Sequence, residues 1–149
     1  MSTVSFSALR AGIASVIVAR GTPWSLAVVP FSQFDVSDVP DAIGALNAHG
    51  AFAVGLDTSD AGTDRQRVAN GTWISTRAIV RFFARYVPHD GITSEDAALD
   101  MERTLIAAVV AAEDLGHILW ESSSRTSTDT GNWFAHEVAF NCTHRLALT

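Results

Sequence analysis

The sequence contains no lysine; all ten of its basic residues are arginine. Base composition of the coding sequence explains such a bias, and so does a use of guanidinium groups in buried or interfacial ion pairs, where Arg outperforms Lys. Charge of either sign is scarce, at 17% of the 149 residues, while 48% are hydrophobic. That balance excludes a disordered chain, and it fits a protein whose surface is partly covered by partners. The net charge of −6 argues against bulk binding of nucleic acid through a basic surface. A single cysteine, Cys142, excludes an internal disulfide framework. No apolar run reaches the roughly 18 residues needed to span a bilayer, so no membrane partner is expected. The N-terminus lacks a basic region and a cleavage site, so the expectation is a chain made in a reducing cytoplasm. Two N-x-[ST] triplets, at Asn70 and Asn141, are read as chance for the same reason.

What is present is one domain's worth of alternating patterns. Phe6, Leu9, Ile13, Val16 and Ile17 recur at spacings of three and four, predicting a helix over 5–19. Ser5 or Ser7 suits its start and Gly21 its end. Trp24–Val29 reads as a short strand closed by Pro30, and 39–48 as a short helix with Pro40 in its first turn. In Ala51–Asp57, Phe52, Val54 and Leu56 alternate as in a strand. Thr58–Asn70 is polar and without period, predicting a long mobile loop.

Thr72–Val87 carries the clearest strand pattern. Ile74, Thr76, Ala78, Val80, Phe82, Ala84 and Tyr86 form one face; Trp73, Ser75, Arg77, Ile79, Arg81, Phe83 and Arg85 form the other. Ser94–Ala112 reads as the main helix, with Ala98, Met101, Leu105, Val109 and Ala112 in one stripe and Thr93 and Asp96 at capping-box spacing. Two further strands, 118–127 and 133–148, flank a Gly-containing turn. The order α-β-α-β-β-α-β-β, with two expected hairpins, predicts an α+β fold: a mostly antiparallel sheet of about four to five strands with helices packed on one face.

Motifs that carry chemistry are missing. The histidines at 49, 89, 117, 136 and 144 lack metal-ligand spacing, and there is no cysteine pair. His136 and His144 share a strand face but stand roughly 26 Å apart at strand rise, too far to share a metal. They read as packed or interface residues. Phosphate-cradling glycine patterns and a nucleophile elbow are also absent. Cys142 reads as a buried small hydrophobe. Glu113–Asp114 and Asp96/Asp100 read as solvated helix surface. No catalytic, metal or cofactor site is therefore assigned, no cofactor is expected, and the chain is read as a non-enzyme.

One constellation stands out. Arg77, Arg81 and Arg85, interleaved with Trp73, Ile79 and Phe83, make a strand face both basic and apolar. It reads either as solvent-facing sheet with arginines lying along aromatics or as a subunit interface, because Arg and aromatics are enriched at interface cores. A DNA contact is a weaker third reading on an acidic chain. The candidate interface residues are thus Arg77, Arg81, Arg85, Trp73 and Phe83.

The order of elements, with Leu9-Arg10 in the first helix, Trp24 in the first strand and Arg77, Val80 and Phe82 in the long strand, is similar to the tail-terminator (tail-completion) proteins of long-tailed bacteriophages. Met101-Glu102 in the long helix and Trp133, Val138-Ala139-Phe140 and His144-Arg145 at the end complete the resemblance, which rests on element order and hydrophobic anchors across nearly the whole chain. The short helix 39–48 departs from the family pattern. The resemblance implies a virion protein forming a ring, usually a hexamer, that caps the tail tube. Its implied partners are further copies of itself, the tail tube protein and head–tail connector or neck proteins, with DNA passing through the lumen unbound in any specific way. Another neck protein is an alternative within virion assembly. A small α+β ligand-binding or enzyme dimer, with His117, Trp120 or His136 lining a pocket between helix and sheet, is an alternative outside it.

Overall fold

The structure, a computed structural model, describes residues 3–19, 26–28, 50–61, 67–68, 71–85, 94–127 and 133–147. Its elements are α1 (Phe6–Ala19), β1 (Leu26–Val28), β2 (Gly50–Ala61), β3 (Arg67–Val68), β4 (Gly71–Arg85), α2 (Ser94–Val110), a 3-10 turn (Glu113–Leu115), β5 (His117–Ser127) and β6 (Trp133–Ala147). The expected helix over 39–48, the turn after 127 and the caps at Gly21 and Thr93 lie outside the described residues.

The long strands form because apolar residues alternate through them, so that one face is buried by helices. Their spatial order is β2-β4-β6-β5, all antiparallel, with short β1 parallel to β2 at one edge. Both expected hairpins are present, and β4 and β6 join them through an unbroken ladder from Gly71↔Ala147 to Arg85↔Trp133. The fold is α+β.

Leu9, Ile13 and Ile17 of α1 and Ala98, Met101, Leu105 and Val109 of α2 pack on Phe52, Val54, Ala78, Val80, Phe82, Val138, Phe140 and Cys142. The helices thus share the sheet face that carries the even-numbered residues of β4 and β6. Ser5 caps α1, its Oγ accepting the Ala8 N–H at 3.1 Å. Phe6 departs from the expected stripe: it is 39% exposed, its ring edge-on to His144.

The segment 58–70 is not one loop. Thr58–Ala61 continues β2, and Arg67–Val68 pairs with Thr72 and Gly71 as β3. The reason is a bulge. Leu56 opposes Ala78 but Ser59 opposes Thr76, so β2 spends one extra residue there. Its facing reverses at that point, which hides the strand continuation from a period-two reading. A second bulge, in β5, leaves Glu121 between Trp120, opposite Phe140, and Ser122, opposite Ala139.

Candidate functional site

The expected arginine row lies on the sheet face turned away from α1 and α2, and two bulges decide its chemistry. Arg77 sits on β4 between them. Its guanidinium donates to Asp57 Oδ2 at 2.7 Å, beside the β2 bulge, and its Nε lies 3.4 Å from Glu121 Oε1, in the β5 bulge. Hydrogen bonding to Asp57 raises the Arg77 pKa further above its already high ordinary value. Arg81 meets its ladder partner Glu137, Nε to Oε2 at 2.8 Å. Ser75 donates to Asn141 on the same face at 2.7 Å. Arg77 and Arg81 are therefore matched by carboxylates of their own chain, and the face around them is electrostatically mixed. Trp73 is half-buried opposite Arg145. For Phe83 and Arg85 the backbone places both on this face, opposite Ala135 and Trp133; their side chains are outside the description.

Between the two ion-paired rows runs a row of small and apolar residues: Gly55, Ile79, Ala139 and Ser122 are successive neighbours across four strands. Ile79 and Ala139 are buried although no described helix covers them. The stems of flanking arginines lie along such surface readily.

The edge of the sheet is β5. Among the described residues it pairs only with β6. Leu119 and Trp120, 54% and 51% exposed, stand side by side on it. Their register partners, Asn141 and Phe140, place them on opposite faces of that edge. The Trp120 indole donates to Ser123 Oγ at 3.1 Å, which holds the exposed ring in one orientation.

A charged cluster that the sequence reading missed lies under α2. Glu102 is buried, and Arg125 on β5 clamps both of its carboxylate oxygens, Nε to Oε1 at 3.0 Å and Nη2 to Oε2. His136 on β6 donates from Nδ1 to Oε1 at 3.0 Å, its ring tilted on Phe82 with centroids 4.5 Å apart. Burial pushes the Glu102 carboxyl up, but the hydrogen bonds and charges of Arg125 and His136 outweigh it and hold the group below its ordinary range. Burial likewise holds His136 below the usual histidine range, against the opposing pull of Glu102. The signal in the sequence was the position of Glu102: four residues after Ala98 and three before Leu105, it is a charge set in an apolar stripe. Such a charge demands a partner, and nothing in the sequence names which one.

His136 and His144 do share the helix-side face of β6, as expected, and both are buried. Cys142 between them is fully buried, and burial raises its thiol to about 12. His117 is exposed at the start of β5, and Trp120 is on the edge described above. His117, Trp120 and His136 thus occupy the β5 start, the β5 edge and the α2-covered interior, and no contact among them is seen.

No protein-family model matches the chain, and no curated protein matches it. Among solved structures, the type 4 fimbrial biogenesis protein PilO from Pseudomonas aeruginosa is similar over 93% of this chain and 68% of its own, at a TM-score of 0.41 and 5% sequence identity. A likeness at that level carries no argument about what this chain does.

Proposed function

We propose that the chain is a structural assembly subunit that works by associating with copies of itself and with neighbouring virion proteins, as a tail-terminator ring subunit at the top of a phage tail tube. The observation that carries this reading is the β5 edge. A sheet edge offers unpaired backbone donors and acceptors, and natural edges of this length are blunted, covered or paired. Here the edge carries two large apolar side chains more than half exposed, one on each face, with the Trp120 ring already oriented by Ser123. Preorientation lowers the ordering cost of an aromatic anchor on binding. Ring closure by rotation needs such an edge to meet a different surface of the next copy. The whole reading, including virion location and the absence of catalysis, rests on this edge and on the resemblance in element order.

Light scattering after gel filtration tests it, on the chain alone and with tail tube protein added, at two salt concentrations. The expected result is a mass of several subunits, or a monomer converting to rings with concentration or on the tube. Leu119→Ser with Trp120→Ser is expected to return that mass to one subunit with unchanged circular dichroism. A wild-type chain that stays monomeric in all these conditions overturns the reading.

Arg81→Glu is a less direct probe of the arginine row, because it faces Glu137 with a second carboxylate inside the same sheet. The exchange Arg81→Glu with Glu137→Arg keeps the pair and reverses its polarity. If the row is the interface, the exchanged protein folds as before and loses its oligomer mass; an unchanged mass removes Arg81 from the interface.

A further inference from the structure

His144 ties the N-terminal segment to the end of the sheet. It is completely buried on β6, opposite Ile74 of β4. Its Nδ1 lies 2.9 Å from the Val4 carbonyl oxygen, which only accepts, so Nδ1 carries the proton. In the neutral ring Nε2 then accepts, and its partner at 2.8 Å is the Thr76 hydroxyl. Thr76 Oγ1, having donated, accepts from Ser59 Oγ at 3.0 Å. Ser59 is on the surface and reaches the helix-side face through the β2 bulge. Val4 is held a second time, its N–H donating to the Arg145 carbonyl at 2.7 Å.

This chain of hydroxyls reverses. With a second proton on the imidazole, Nε2 donates to Thr76, Thr76 turns to donate to Ser59, and Ser59 donates to water. A buried histidine is thereby connected to solvent without loss of a hydrogen bond. Among the described residues it has no bonded counter-charge, and the carboxylates of the neighbouring 3-10 turn, Glu113 and Asp114, are exposed. On the N-terminal side it meets Val4 and Phe6; on β4 it meets Thr76 and Ile74; at the turn before β5 it meets Gly116. Cys142, two residues along the same face, is a neutral thiol. The nearby Arg145 and His117 stand in the register rows of the opposite face, with Trp73 and Thr143. Among the described residues no carboxylate interacts with it, and burial holds it below the ordinary histidine range despite the Val4 bond.

We propose that His144 is an acid-operated latch: when it takes up its second proton, Thr3 and Val4 detach from the β4–β6 end of the sheet and the cation gains water. Opening is local because Thr3 and Val4 precede the Ser5 cap, which stays with α1, and are held by the two Val4 backbone hydrogen bonds and the small Val4 side chain. His136, which also lies under a helix, has Glu102 as counter-charge and is not a latch of this kind.

Hydrogen exchange of the full chain between pH 7.5 and 4.5, corrected for intrinsic rates, is the test, read beside an NMR titration of His144. The expected result is a loss of at least tenfold in protection at the Val4 amide, tracking His144 protonation with a midpoint below about 6.5, while α2 and β6 stay protected. His144→Gln is expected to make that protection independent of pH. Protection that does not follow His144, or that is lost only together with α2 and β6, overturns the latch.

Discussion

Arg125 holds Glu102 with two parallel hydrogen bonds, yet the arginine side chain is half-exposed and the carboxylate is almost wholly buried. The pair is unequal in consequence. Arg125 can return to water when its partner is removed, whereas Glu102 cannot.

The first prediction follows from that inequality. Arg125→Met leaves a buried carboxylate with His136 as its remaining donor, and is expected to cost about 2–4 kcal/mol, toward the range for breaking a buried pair. Glu102→Gln removes the charge, keeps an acceptor for His136 and frees Arg125 to solvent, and is expected to cost about 1–2 kcal/mol. Urea unfolding of both variants at pH 7 gives the order. A larger loss in Glu102→Gln would mean that the carboxylate, not its clamp, anchors α2 to the sheet.

Stability should fall in acid in two stages. His136 and His144 both have folded-state pKa values below the ordinary histidine value of about 6.5. The unfolded chain therefore binds protons first as pH drops, and stability present above that value is lost as pH falls toward the folded values. Glu102 is held below the carboxylate range, so its contribution is present above that range and disappears only at lower pH, as it protonates in the folded state. Urea midpoints should be flat near and above pH 7, decline below about 6.5, and decline again in stronger acid. A midpoint that rises between pH 7 and 5 would contradict the burial-driven direction for both histidines.

Gly116 joins the 3-10 turn to β5 with φ at 101°, a region that suits glycine alone. A Cβ there would stand 2.5 Å from the Thr143 carbonyl oxygen, which is backbone and fixed in the β6 ladder. Gly116→Ala is expected to cost about 1–3 kcal/mol from backbone strain, with the contact adding to it. Thermal denaturation reads the loss as a lower midpoint, and an unchanged midpoint would show that the turn relaxes freely.

Cys142 is fully buried, and its thiol, raised to about 12, has almost no thiolate at neutral pH. Labelling by an aromatic disulfide reagent at pH 8 is expected to be slow in the folded protein and immediate in urea. Rapid labelling of the native chain would place the sulfur on the surface.

Much of the fold was legible because burial leaves a period. Ile74 to Phe82 and the stripe from Ala98 to Val109 announce one buried strand face and one buried helix face, and the structure buries both. Phe6 fits the corresponding stripe of α1 and is nevertheless partly uncovered, since it lies at the edge of the core against His144. The arginine row was legible as a row and not as chemistry. Arg81 and Glu137 are 56 positions apart in the chain and meet only because β4 and β6 pair in that register. Arg77 acquires Asp57 and Glu121 through two bulges, and a single extra residue in a strand reverses the alternation there, so the pattern reads as an end of the strand rather than as a bulge.

Side-chain periodicity carries the two long helices, the long strands and the pairing of β2 with β4 and of β5 with β6, but not β3 or the continuation of β2 past Asp57. Tertiary structure alone decided that β4 lies beside β6, where the bulges fall, which carboxylates neutralise Arg77 and Arg81, and that Glu102, Arg125 and His136 meet under α2. Those outcomes depend on register between segments distant in the chain. A period-two pattern is satisfied equally well whichever strand stands next to it, so the choice is made by packing and by the matching of buried charge.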